Sequence, residues 1–270
     1  MTEAWDLAHA AASGAGVILR PCESAVDQAG LLRVLGATWG PDDLFPPELV
    51  RAIAYSGNVP YGAFDGDELI GYVLGWVGVD PKDGPHVHSH MLAALPDRRH
   101  RGVGYALKLA QRAQALDQGL RLIRWTFDPL VSRNAWFNLV KLGATADRFE
   151  PNFYGTMSDQ INRGERSDRL VVRWDLERMS PGARDPDGFS VLAQVGDDAD
   201  RSRPSEVARP GGSPALVWVP REYHELREAD PSLGAAWREA SGVALQLCFD
   251  AGMTVVGFTT DGAYVLETTS

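Results

Sequence analysis

Cysteine is scarce: Cys22 and Cys248 are the only two in 270 residues, and neither a Cys-x-x-Cys nor a zinc-ligand spacing can be made from them. A disulfide framework and a thiolate metal site are therefore excluded, and the chain reads as a reduced, intracellular one. Long apolar runs are missing as well. None approaches the roughly 20 residues needed to span a bilayer. Met1 to Ala15 carries Glu3 and Asp6, and lacks the basic start and continuous apolar core of a secretory signal. The expected location is cytoplasmic, with no membrane partner. Positive charge is also in deficit, 26 Lys and Arg against 36 Asp and Glu, a formal net charge of −10. Nucleic-acid binding needs a concentrated basic face, which this distribution does not offer, so no nucleic-acid partner is expected. What the chain has is 44% hydrophobic residues, enough core for one large domain or two modest ones.

The arginines that are present cluster at one place. Leu95, Pro96, Asp97, Arg98, Arg99, His100, Arg101, Gly102, Val103, Gly104 and Tyr105 close an apolar strand, turn on glycines and open a helix. Such a junction suits a small anion: glycine lets the backbone approach closely, the first helical amides have no intrahelical acceptor, and the helix dipole adds partial positive charge. Arg98, Arg99 and Arg101 add full charges at the rim. The dinucleotide fingerprint is incomplete and no Gly-Lys-Ser/Thr follows, so the Rossmann and P-loop versions fit poorly.

Periodicity predicts a strand at 17–20, helices at 24–35 and 47–54, and two strands at 59–64 and 68–79 joined by the hairpin turn Asp65-Gly66-Asp67. A strand at 87–95 leads into the glycine turn. A helix follows over 105–118, with Lys108, Arg112 and Asp117 off its apolar face and Gly119 as the stop. Next come a strand at 122–128 closed by Pro129, a helix at 132–142 ended by Gly143, and strands around 148–154 and 170–176. Residues 180–214 shift to Pro, Gly, Ser, Asp and Arg, a linker composition with one strand at 189–195. Beyond it, a strand at 215–220, a helix at 232–251 and a hairpin of 253–258 with 263–267 are expected.

Arg99-x-x-Gly102-x-Gly104, with Pro96 three positions earlier and a long amphipathic helix after it, resembles the pyrophosphate-binding signature of the GNAT acyltransferases. Ser89-His90-Met91, Leu107-Lys108-x-x-Gln111-Arg112, Trp125 to Leu130, Arg133-Asn134-Ala135, Asn152-x-Tyr154-Gly155 and Ser167 to Leu170 look like a bacterial subgroup of that family, over roughly residues 16–176. The resemblance implies an α/β (α+β) fold: a mixed, mostly antiparallel sheet flanked by helices, here with a small C-terminal β-α-β-β extension. It divides the chain into an acyltransferase core at 1–178, a linker at 179–214 and a small unit at 215–270 packed on the core. It further implies acetyl-CoA or another acyl-CoA as co-substrate, no metal, and a small-molecule amine as acceptor, in a monomer or homodimer. The pyrophosphate would lie on Arg98, Arg99, His100, Arg101, Gly102, Val103, Gly104 and Tyr105. Met91, Leu92, Ala93, Ala94 and Leu95 would line the pantetheine arm and supply an oxyanion amide, and Asn134 would be a further cofactor contact or a helix-start residue satisfying local backbone.

Direct acyl transfer to an amine needs a base for the ammonium proton and a proton for the departing thiolate. His86, His88 and His90 alternate on one strand, so their side chains share a face. His90 is the leading base candidate; the alternatives are a hydrogen-bonded core histidine or a transition-metal face, which would suit a hydrolase. Asp128, at the carboxyl edge of its strand, either fixes a cationic acceptor and relays a proton or forms the turn before Pro129. The family often places a tyrosine near the end of the helix before the closing glycine; here Leu139 stands there, which leaves Tyr154, Tyr105, Asn138 or water to protonate the thiolate. Trp39 would border the acceptor pocket, and Trp125, Asn152 and Asp168 would contact substrate; Trp125 reads equally as sheet core, and Asn152 and Asp168, with Asp159, Asn162 and Arg169, as a solvated loop. The competing function is a catalytically weak CoA-binding sensor or scaffold, suggested by Leu139.

Overall fold

The structure, a computed structural model, describes residues 3–40, 45–98, 101–155, 165–178 and 213–268, with single positions at 203, 204, 207 and 210. The linker strand expected at 189–195, Arg99, His100, Asp159 and Asn162 lie outside the described residues. The chain divides into two compact units. One holds the described residues up to Trp125 with 165 and 175–177; the other holds 126–155, 166–174 and the described residues from 178 onward. The change from one unit to the other falls between Trp125 and Thr126. Residues 215–268 share a unit with 126–155 because their strands pair, Ala146 with Val255.

In the first unit the elements are α1 (Glu3–Ala15), β1 (Ile18–Pro21), α2 (Ala25–Trp39), α3 (Pro47–Tyr55), β2 (Tyr61–Asp65), β3 (Glu68–Asp80), β4 (Gly84–Ala94), α4 (Val103–Asp117) and the start of β5 (Leu122–Phe127). Strands β1 to β4 pair in sequence order, all antiparallel. β5 joins β4 in parallel through only two pairs, Val87 with Ile123 and His88 with Arg124. Helix α1 was not foreseen, because its inward stripe is Ala4, Ala8 and Ala12, too weakly apolar to stand out in the sequence. It packs on α4, and Trp5 donates its indole N–H to Asp117 at 2.7 Å.

The two faces of β3 are distinct. Gly71 and Gly75 look towards α4, where added Cβ atoms would meet Val103 and Gln111. Tyr72 and Leu74 belong to the core that Leu31, Val34 and Leu35 of α2 and Val50 of α3 build on the other face. Ser24 starts α2 as a capping box: its hydroxyl accepts from the Asp27 N–H, and the Asp27 carboxylate accepts from the Ser24 N–H.

The second unit contains α5 (Ser132–Ala135), which passes into a π-helical turn at Trp136–Lys141, then β6 (Thr145–Glu150), β7 (Arg169–Asp175), β8 (Ala215–Trp218), α6 (Tyr223–Ala229), α7 (Pro231–Asp250), β9 (Met253–Phe258) and β10 (Ala263–Thr268). Its strands run in the order β7-β6-β9-β10-β8, all antiparallel. The continuous helix expected at 132–142 is interrupted by the π turn, and the strand expected at 148–154 is displaced to 145–150. The mixed, mostly antiparallel sheet with flanking helices and added C-terminal strands agrees with the expected fold class.

Arg20 holds the Asp27 carboxylate at 2.8 and 3.0 Å, and this hydrogen bonding, reinforced by Ser24, lowers the Asp27 pKa to about 2. Because the folded-state pKa is depressed, the stabilisation is present above the ordinary carboxylate value and is lost as pH falls through the folded one. Ser24→Ala is expected to cost about 1 kcal/mol in urea denaturation. Asp27→Asn should be less stable than wild type at pH 6, and that gap should close as the pH is lowered from about 4 towards 2.

Candidate functional site

Strand β4 ends at a turn that is held from both sides. Leu95 donates to the Ile70 carbonyl at 2.9 Å, and the following 3-10 turn, Pro96–Arg98, closes with Arg98 donating to the Leu95 carbonyl at 2.9 Å. Gly102 has φ +86°, a left-handed conformation that residues with a Cβ rarely adopt, and forms the N-cap of α4. No side chain caps this helix, so the Val103, Gly104 and Tyr105 amides open it without an intrahelical acceptor. An added Cβ on Gly104 would lie 3.6 Å from Leu92 Cδ2, so a large residue there would run into β4. These features fit a pyrophosphate. Arg101 is exposed at the rim, whereas Arg98, expected as a free rim charge, pairs with Asp65 and Asp97.

Twelve residues before Gly102, β4 carries a bulge. The ladder with β3 passes from Gly75–Ser89 to Leu74–Met91, which leaves His90 as the extra residue. The pairing with β5 has already ended at His88, so neither ladder gives His90 a partner. A bulge reverses the alternation, so His90 and Met91 face the same side. The Met91 sulfur accepts from the Tyr72 hydroxyl at 3.4 Å within the α2 core, which Trp39, Phe45 and Leu95 also flank.

The His88 and His90 rings are 6.1 Å apart, and both lie against Trp76, at 5.1 and 4.9 Å; Phe45 approaches His90 at 6.3 Å. Those two histidines share a face as their spacing requires, while His86 turns its Nδ1 to the Gly84 carbonyl at 3.1 Å. Burial lowers His90, and it lowers His88 further, to about 4, with the neighbouring His90, His86 and Lys108 charges adding to the effect. Both imidazoles are neutral at pH 7. Among the described residues no three His, Cys, Asp or Glu side chains are grouped to hold a metal ion.

On the opposite face of β4 lies Lys108 of α4, 2% exposed although the helical pattern put it off the apolar face. Its Nζ donates to Ser89 Oγ and to Gln111 Oε1, each at 3.0 Å, and sits 3.8 Å from the centre of the Trp125 ring. Burial brings its pKa down to about 7. Trp125, expected among the substrate contacts, is instead buried against this amine.

The remaining candidates lie in the second unit. Asp128 does not present a free carboxylate: Arg238 of α7 donates to both its oxygens at 2.9 Å, the Leu130 N–H donates to Oδ1 at 2.9 Å, and Arg169 lies 3.9 Å away. Asp168 is fully buried, accepting from Arg166 at 2.7 and 2.9 Å and from the Asn152 N–H at 3.0 Å, so it braces the loop that carries Asn152. Asn152 sits at φ +50° and accepts through its side chain from the Ser167 N–H. Tyr154 is 43% exposed, with its hydroxyl 3.2 Å from Thr126 Oγ1. Asn134 is half-buried, and Leu139 is buried in the π turn beside Asn138. The sequence reading missed the roles of Lys108, Trp76, Phe45 and Arg238. Only Lys108 left a local trace, the Lys108-x-x-Gln111 pair one helical turn apart; Arg238 lies 110 residues from its partner.

A glycine-opened, uncapped helix follows a bulged strand that parts from its parallel neighbour, and a family match falls on this segment. Residues 31–138 match the model of the Acetyltransferase (GNAT) family. Similar solved structures include an acetyltransferase of the GNAT family from Streptococcus pneumoniae, 16% identical, covering 58% of this chain and 98% of its own, with TM-score 0.48. Arabidopsis thaliana NAA60 bound to a bisubstrate analogue is 16% identical over 59% and 97%, with TM-score 0.48. The Escherichia coli ribosomal-protein-S18-alanine N-acetyltransferase is 12% identical over 59% and 94%, with TM-score 0.47. Comparison with curated proteins gives no match.

Because the folded His88 pKa lies below the ordinary histidine value, the unfolded chain binds the extra proton between about pH 6.5 and 4. Stability from the neutral ring is therefore full above pH 6.5 and declines as pH falls towards 4. Urea denaturation of wild type and His88→Gln should show the wild type losing more stability between pH 7 and pH 5, and the His88 ring should remain neutral by NMR at pH 5.5.

Proposed function

We propose that the chain transfers an acyl group, acetyl in the first instance, from acyl-CoA to the amine of a small molecule by direct attack. The observation that carries this reading is the succession of a bulge at His90 in β4 and an uncapped start of α4 at Gly102. Bound acyl-CoA supplies an activated thioester carbonyl. Val103, Gly104 and Tyr105 amides with Arg101 would hold its pyrophosphate, and Met91 to Leu95 would line its pantetheine arm. The unladdered backbone at His90 suits stabilisation of charge developing on the carbonyl oxygen.

In this reading His90, neutral within an aromatic surround, accepts the ammonium proton of the acceptor. Phe45 and Trp76 flank His90 with half-buried rings suited to a small acceptor, and Trp39, packed on the same core as Phe45, is a further proposed acceptor contact. The two cysteines are free and buried, which supports a reduced, cytoplasmic setting. No helix among the described residues is long and apolar enough to cross a membrane. A second reading, a CoA-binding sensor with weak turnover, is favoured by the buried Leu139 and by Asp128 being fully engaged with Arg238.

Calorimetric titration of CoA and acetyl-CoA into wild type and a Gly102→Trp, Gly104→Trp variant shown to be folded tests the donor site. Binding to wild type should weaken about 100-fold in the variant, equivalent to about 2.7 kcal/mol. Thiol release from acetyl-CoA on addition of an amine mixture separates the transferase from the sensor. Failure of wild type to bind either ligand would sink both readings.

A further inference from the structure

We propose that Lys108 is a positioning residue for acyl transfer: its side chain fastens β4 to β5 one step beyond their last backbone pair, and so fixes the bulge at His90. The inference rests on the acyltransferase reading. The ladder between the two strands ends at His88 and Arg124. In a parallel pair the next residues along are Ser89 and Trp125, and Lys108 touches both, one through its hydroxyl and the other through its ring face. A side chain thus supplies the third rung of a ladder whose backbone stops at two. The same amine is tied to Gln111, and Lys108 stands five residues into the helix whose first turn forms the anion site. One residue therefore links the element that would hold the pyrophosphate to the strand that would receive the thioester.

Packing around this link is tight. An added Cβ on Gly75 of β3 would come within 2.6 Å of the His88 carbonyl oxygen and 2.9 Å of Gln111 Nε2, so β3 closes on the same spot from its own side. A buried amine is a poor choice for filling a core, because an apolar side chain of similar length avoids its desolvation cost. Methionine would fill the space. What methionine cannot do is hold Ser89 in place, next to the bulged residue.

Lys108→Met, Lys108→Arg and Ser89→Ala, each compared with wild type by thermal unfolding, calorimetry and amide NMR, test this. In wild type, CoA should shift the Gly104 amide, and the change from CoA to acetyl-CoA should shift the His90 amide. Lys108→Met should keep its melting temperature, keep CoA affinity within about twofold, lose acetyl-CoA affinity by about tenfold and lose the His90 response. Lys108→Arg should restore part of it, and Ser89→Ala should weaken it. An unchanged His90 response in Lys108→Met, or equal loss of both ligands in step with a lowered melting temperature, overturns the proposal. If Lys108→Met does not fold, Ser89→Ala decides: a weakened His90 response supports the proposal and an unchanged one overturns it. Absence of any CoA response in wild type removes the acyltransferase reading itself, a distinct result.

Discussion

Strand β4 has to satisfy two neighbours with different geometry, and it does so for only part of its length. With β3 it keeps an antiparallel ladder throughout by inserting His90 as an extra residue. With β5 it keeps a parallel ladder for two pairs and then gives it up. A bulge adds local twist and bends its strand, which leaves the segment after His88 beside a parallel neighbour it no longer pairs. The rest of the candidate site follows from this. His88 and His90 face Trp76 on one side, Ser89 meets Lys108 on the other, and the strand runs on into the turn that starts α4.

The buried charges of the chain are handled in two ways. Asp128 and Asp168 are each gripped by an arginine with several short hydrogen bonds, an arrangement that offsets desolvation through geometry and additional donors. Lys108 instead has a hydroxyl, a carboxamide and an indole face among its partners, and its pKa falls accordingly. The first arrangement fixes loops and is consistent with a structural part for Asp128. The second concentrates a polar contact at the place where two strands part.

Much of the secondary structure was legible because its signals are local. The Asp65-Gly66-Asp67 turn, the start of α2 at Ser24 and the β9–β10 hairpin are each written in a few adjacent residues, and they form where the pattern puts them. The elements that were not foreseen have weak or conflicting local signals. Helix α1 turns alanines inward, α6 is seven residues long, and the π turn at 136–141 leaves no mark in a sequence that reads as continuous helix. The bulge at His90 was hidden for a similar reason. A strict two-residue alternation reads through it, and only the register against β3 reveals the extra residue.

The amino-acid sequence by itself determined the glycine turn, since glycine at 102 and 104 and the helix after them act through backbone conformation and unpaired amides, which need no distant partner. It also determined that His88 and His90 share a face, by pleat alone. Tertiary structure decided which polar groups are free. Lys108 reads as a surface lysine and Asp128 as an accessible carboxylate until α4 is laid against β4 and α7 delivers Arg238 across 110 residues. Burial and ion pairing depend on partners remote in the chain, and local pattern carries no record of them.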